Sequence, residues 1–133
     1  MTQEFFKQLL PKAEIFSRGL YADPTYTVPD KVILALKKHH ISFNKYTPTP
    51  LTMADLQEAD LIFCMERIHE ERLLDRYPQY TAKIWLLTEF AHNQRQDIED
   101  PISLEGHAFE KAAEQLYRIC QAAAQRIEQQ GLK

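Results

Sequence analysis

The sequence predicts an α/β layer fold built on a parallel sheet, α/β/α in three layers. Strand-sized and helix-sized apolar patterns alternate along the chain, which is the order a parallel sheet with helical crossovers requires. The run Leu61-Ile62-Phe63-Cys64-Met65 is apolar at every position, as in a parallel strand covered by helices on both sides. The 133 residues, 44% apolar and 26% charged, suit one domain spanning 1–133 and argue against disorder.

The elements follow in order. Thr2 to Leu10 carries Phe5, Phe6, Leu9 and Leu10 at helical spacing, with Thr2 as a cap and Pro11 as the stop. Ala13 to Ser17 is short enough for a strand, closed by Arg18-Gly19, and Asp23-Pro24 and Val28-Pro29 mark a loop. Pro29-Asp30 opens a helix whose stripe is Val32, Ile33, Ala35 and Leu36; Lys37, Lys38, His39 and His40 complement its carbonyl end. Ile41 to Pro50 reads as irregular. Thr52 caps a short helix through Glu58, and Asp55 stands at capping-box spacing. Asp60 to Met65 is a strand, Glu66 to Arg76 a charged amphipathic helix stopped by Tyr77-Pro78, and Lys83 to Leu87 a further strand. Ala91 to Leu104 is polar and irregular. Gly106 to Gln130 is a long helix with Phe109, Ala112, Ala113, Leu116, Ile119, Cys120, Ala123 and Ile127 on one stripe. The opening helix has no strand feeding it, and three strands make a thin sheet for this class.

Composition narrows the function. With 16 basic against 19 acidic residues and a net charge of -3, the chain lacks the basic excess of a nucleic-acid binder. No apolar run approaches the roughly 18 residues of a membrane span. The N-terminal residues lack a signal-peptide pattern, so a cytoplasmic protein with Cys64 and Cys120 as free thiols is expected. The glycines Gly19, Gly106 and Gly131 form no G-x-G-x-x-G or P-loop motif. His39, His40, His69, His92 and His107 show no metal-ligand spacing, so neither metal nor cofactor is expected.

The chemistry-bearing residues are few. Cys120 and Arg126 stand at the Cys-X5-Arg spacing of a thiol phosphate loop, but the intervening alanines and glutamines are strong helix formers. Helical N–H groups are already bonded to carbonyls and cannot cradle an anion, so this pair reads as structural. Cys64 ends a strand, where sites gather in open parallel sheets, yet no cradle follows it; it reads as a packed core thiol. Asp97-Ile98-Glu99-Asp100-Pro101 is an acidic turn by composition, and a loop aspartate of this kind is also a general-acid candidate. Ser17, after the first strand-sized run, reads as part of an ordinary turn.

Together these segments, from Met1 to about Cys120, resemble the low-molecular-weight protein tyrosine phosphatases. Ser17-Arg18-Gly19 is similar to that family's Ser-Ala-Gly element. Pro29-Asp30-Lys31-Val32 with His39-His40-Ile41-Ser42 is similar to its Pro-x-Asp-Pro helix and its ending. Asp60 to Glu66 resembles its Asp-Leu-Ile-x-x-Met-Asp strand, and Asp97 to Pro101, then Gly106 and Phe109, its Asp-x-x-Asp-Pro loop and last helix. The resemblance implies a phosphotyrosine phosphatase I-like, flavodoxin-like topology. It also implies hydrolysis through a cysteinyl-phosphate, with a Cys-X5-Arg-Ser loop as nucleophile and anion cradle. It makes Asp100 the general acid and gives Ser17 and Ile102 a place beside the substrate.

Two departures stand out. The family's first strand and Cys-X5-Arg-Ser loop precede its first helix, and neither is found in these residues. Either translation starts further upstream or the protein is an N-terminally shortened relative. Ile102 stands where an aromatic residue commonly lines the phosphotyrosine cleft. The resemblance therefore implies a phosphotyrosine-type substrate for the family and an inactive chain as written. Other readings are a non-catalytic binding or assembly module and an arsenate reductase-like relative. Exposed sheet edges would favour a homodimer.

Overall fold

The computed structural model describes residues 1–19, 23, 25–43 and 48–131. Pro24 of the Asp23-Pro24 turn and residues 44–47 of the irregular 41–50 segment lie outside the described residues. Helix α1 (Thr2–Leu9) buries Phe5 and Phe6 and ends where Pro11 follows. Helix α2 (Asp30–Lys38) buries Val32, Ala35 and Leu36; His39 ends it and His40 turns the chain at φ 60. Helix α3 (Met53–Glu58) has the predicted capping box: the Asp55 amide donates to Thr52 Oγ1 at 3.3 Å and the Thr52 amide to Asp55 Oδ2 at 3.0 Å.

Strand β1 (Ile62–Cys64) leads into helix α4 (Arg67–Arg76), and a 3-10 turn over Pro78–Lys83 leads into strand β2 (Ile84–Leu86). The strands run parallel in the register Ile62 to Ile84, Phe63 to Trp85 and Cys64 to Leu86. Helix α5 (Leu87–His92) follows β2 directly, a 3-10 turn spans Pro101–Ser103, and helix α6 (Gly106–Gln129) closes the chain.

The side-chain period of two in a strand sorts these residues into two layers. Phe63 and Trp85 face the larger core, where α1, α2, α5 and α6 converge. Cys64 and Ile84 face a smaller cluster with Leu73 of α4, flanked by Ile62, Leu74, Tyr77 and Tyr80. Helices therefore cover both faces of a parallel sheet, as the apolar β1 run predicts. In the larger core Phe5 is fully buried, edge-on to Tyr117 at 5.0 Å and to His39 at 5.4 Å. Each large apolar side chain buried in this way contributes about 1.5–3 kcal/mol.

Three expectations need correction. Ala13 to Ser17 forms no strand; the nearest pairing is a single parallel bridge between Gly19 and Pro50. A strand exists only where a neighbour takes up its N–H and C=O groups, and among the described residues β1 pairs with β2 alone. The two strands are three residues each, shorter than the apolar runs that announce them. The segment before Ala91 is helical: Leu87, read as the end of a strand, is the first residue of α5.

Candidate active site

The loop between α5 and α6 carries the Asp-Pro motif and is tied to the C-terminal end of β1. Asn93 turns it away from α5 at φ 57, a left-handed conformation that asparagine tolerates. Each of residues 95–98 is anchored. Arg95 pairs with Glu89 of α5 and with Glu70 of α4, at 2.5 Å from the latter. Glu70 is a buried carboxylate, so the partner is obligatory: an unpaired charge there would cost several kcal/mol. The hydrogen bond that Arg95 donates to Glu70, then the one it donates to Glu89, makes it hold its proton more firmly than usual. Thr88 Oγ1 donates to Gln96 O at 2.7 Å and accepts from the Gln96 amide at 3.2 Å. Asp97 Oδ1 accepts from the Arg67 amide at 2.8 Å and from Arg67 Nε at 3.1 Å, which caps the first turn of α4 from outside the helix. The Ile98 amide donates to Met65 O at 2.8 Å.

Beyond this strap lies the Asp-Pro turn. Asp100 is exposed and its Oδ1 accepts from the Ile102 amide at 3.0 Å, while Pro101 is buried beneath it. Ser103 Oγ bridges Glu99 Oε1 at 3.1 Å and Asp100 O at 3.0 Å. Ile102 is half-buried against the larger core. Ser17 is exposed, and no hydrogen bond joins it to residues 97–105 among the described residues. Asp100 and Ile102 thus share one turn, and among the described residues no hydrogen bond links Ser17 to it.

The carboxylates of the loop are not equivalent. The Arg67 amide first, and then the Arg67 guanidinium, hold Asp97 below the usual carboxylate range against an opposing desolvation. Asp97 is committed to a structural cap. Among the described residues the exposed Asp100 carboxyl is bonded only to a backbone amide of its own turn, through Oδ1.

Both thiols are core groups. Cys64 is buried at the end of β1, and burial first, then the Glu70 charge, pushes it up to about 12. Cys120 is fully buried in α6, and burial pushes it up to about 12 as well. Arg126 does not face an anion site: it donates to Phe90 O at 3.0 Å and lies over the Phe90 ring at 4.2 Å and Trp85 at 5.1 Å. The Cys120–Arg126 spacing is therefore a helix-packing pair, as the intervening residues predict. Among the described residues no group of three or more His, Cys, Asp or Glu side chains is placed to hold a metal, and no helix is long and apolar enough to cross a membrane.

The sequence reading missed Arg95, Glu70, Thr88 and Lys31, whose contacts join residues 6 to 74 positions apart. No spacing rule exposes such pairs. The one available hint was a glutamate at position 70 on a helix face that also buries Leu73.

A parallel sheet between helical layers, with the loop that carries the Asp-Pro turn tied to the C-terminal end of β1, defines a three-layer α/β/α scaffold of the phosphatase kind. The sequence model of the family described as low molecular weight phosphotyrosine protein phosphatase matches residues 1–133, and the chain belongs to that family. It is 28% identical over 127 residues to a probable low molecular weight protein-tyrosine-phosphatase, EpsP, of Ralstonia nicotianae, covering 96% of this chain and 86% of that one. It is 22% identical over 131 residues to a protein-arginine-phosphatase of Bacillus subtilis, covering 96% and 87%. Among solved structures, the low molecular weight protein tyrosine phosphatase from T. tengcongensis matches with TM-score 0.79 and 28% identity over 91% of this chain and 85% of that one. The YwlE arginine phosphatase from Geobacillus stearothermophilus matches in fold with TM-score 0.85 at 19% identity, over 97% and 84%.

Proposed function

We propose that this domain serves phosphomonoester hydrolysis with Asp100 as the proton donor, and that the residues of this chain do not by themselves complete the reaction. The observation that carries the first half is the exposed Asp100 carboxyl, fixed through Oδ1 by the Ile102 amide above a buried Pro101. A carboxyl held by one oxygen has the other free to protonate a leaving-group oxygen as the P–O bond breaks, and later to take a proton from attacking water. Ile102 lines the same turn; a supporting role for Ser17 rests on the family resemblance alone.

The thiols carry the second half. A group at about 12 is ionised in roughly one molecule in 100,000 at pH 7, far too few to serve as a thiolate nucleophile. Cys120 also lies within a helix whose amides are already bonded. The same burial disfavours arsenate reductase-like chemistry, which needs accessible redox thiols. The substrate class is a phosphorylated protein side chain. Relatives are named for phosphotyrosine and for phosphoarginine, and Ile102 offers no ring on which a phenol could stack. Two free thiols suit a reducing cytoplasm.

The test is hydrolysis of p-nitrophenyl phosphate by the purified chain. No turnover above buffer is expected. Robust turnover that disappears in Asp100→Asn would mean that a nucleophile has been overlooked, and loss in Cys120→Ser would return the role to that thiol.

A second reading, a binding or assembly module, has one observation in its favour. Among the described residues β1 is paired along one edge only, and its Phe63 and the flanking Leu61 and Met65 are only partly buried. Unpaired strand edges invite another chain. Light scattering should then report more than one chain per particle; a monomer with a cooperative melt would count against it.

A further inference from the structure

We propose that Lys31 is the positioning residue of the Asp100 turn: from the first turn of α2 it clamps residues 102–105, and through Ile102 it sets the carboxyl that faces substrate. The inference rests on the reading of Asp100 as proton donor.

Lys31 Nζ donates to Ile102 O at 2.8 Å, to Leu104 O at 2.6 Å and to Glu105 Oε1 at 2.9 Å. An ammonium has three donors, and all three are used on this one segment. The acceptors lie 71 to 74 residues away in the chain, so the contact joins two otherwise separate elements. The Lys31 ammonium also lies over the Phe109 ring at 5.3 Å, at the start of α6, a cation–π contact that adds to the clamp.

The chemistry of the acceptors separates this from an ordinary surface ion pair. Glu105 is 84% exposed, and such a pair contributes little. The other two acceptors are partly buried main-chain carbonyls, so what the lysine fixes is backbone. Ile102 is thereby held on both sides: its carbonyl by Lys31, its amide by Asp100. Within the turn, Ser103 N donates to Asp100 O at 3.2 Å and Leu104 N to Pro101 O at 2.9 Å, so a shift of residue 102 or 104 is passed to Asp100. The strap at residues 95–98 holds the loop upstream of Asp100; Lys31 is the corresponding tie downstream. A donor that must meet a leaving group within hydrogen-bond reach needs both.

The test is amide hydrogen exchange by NMR on the full chain, comparing Lys31→Met, Lys31→Arg and the unmodified protein. Methionine keeps the apolar stem against Phe109 and removes the donors. Lys31→Met should speed exchange at Ile102 by about tenfold, the scale of one lost charge-assisted hydrogen bond. Amides of α6 such as Leu116 should stay unchanged, and Lys31→Arg should recover at least half of the lost protection. Unchanged exchange at Ile102, equal acceleration throughout α6, or an arginine variant no better than methionine would each overturn the proposal. If Lys31→Met does not fold, the unmodified chain still decides. Its Lys31 ammonium protons should exchange slowly and show contacts to residues 102 and 104, and an ammonium averaged like that of exposed Lys38 would overturn the clamp. These readouts report on the clamp alone, whereas Asp100→Asn in a turnover assay reports on the proton-donor reading alone.

Discussion

Asp97 and Asp100 stand three residues apart in one acidic turn, yet their partners give them different work. Asp97 accepts two hydrogen bonds from Arg67 and is held below the usual carboxylate range, first by the backbone amide. A carboxyl whose pKa is lowered by folding adds stability above its unfolded value, near the ordinary 3.8, and that stability is lost as pH falls through the folded value. Asp97→Asn should therefore lower the urea midpoint at pH 6, and the gap to the unmodified chain should narrow as the pH falls from 6 to 3. An equal gap at both pH values would show that the charge on Asp97 has no part in capping α4. Among the described residues the Asp100 carboxyl takes a single hydrogen bond, from the Ile102 amide of its own turn.

At the scale of elements, short-range signals decided most of what could be read beforehand. The Thr52/Asp55 box is a local motif, and both of its hydrogen bonds form. Asp55 is held below the ordinary range: desolvation acts upward, but bonds from Thr52 and then Arg18 outweigh it. Thr52→Ala removes the cap and should cost about 1 kcal/mol, measured as a shift of the urea midpoint at unchanged slope. The helices α1, α2 and α6 were legible for a similar reason: stripes such as Phe109, Leu116 and Cys120 repeat at helical spacing within a few turns. Strands are not local in this sense. Ala13 to Ser17 has the composition of a strand and no ladder, because a strand is completed by a neighbour and not by its own residues. Leu87 to His92 has the opposite history: Leu87 and Phe90 stand three apart directly after β2, and so short an apolar pattern fits strand or helix equally. The site divided along the same line. Asp100 and Ile102 were visible as a motif, while Arg95, Glu70 and Lys31 reach it only through tertiary contacts.

The two thiols make the whole molecule sensitive to alkali, because they sit in different cores. Cys64 belongs to the cluster under α4, and Cys120 to the larger core between α1 and α6. Burial raises both from the ordinary 9.0 to about 12. In the unfolded chain they ionise near the ordinary value; in the folded chain they keep their protons until about 12. The folded state thus binds more protons between these values, so the stability due to the neutral thiols is whole below pH 9.0 and falls as pH rises toward 12. Each thiol can impose a slope of at most about 1.4 kcal/mol per pH unit. The sequence also holds 6 tyrosines, which ionise in the same range when unfolded. The comparison must therefore be between the unmodified chain and a Cys64→Ala, Cys120→Ala variant, which share those tyrosines. The variant is expected to be less stable at pH 8, since two well-packed sulfurs leave small voids, but to lose less of its stability between pH 8 and 10.5. Urea midpoints at the two pH values give the slopes. Parallel slopes for the two proteins would mean that the thiols ionise within the folded chain at their ordinary value, and would remove the ground for excluding them as nucleophiles.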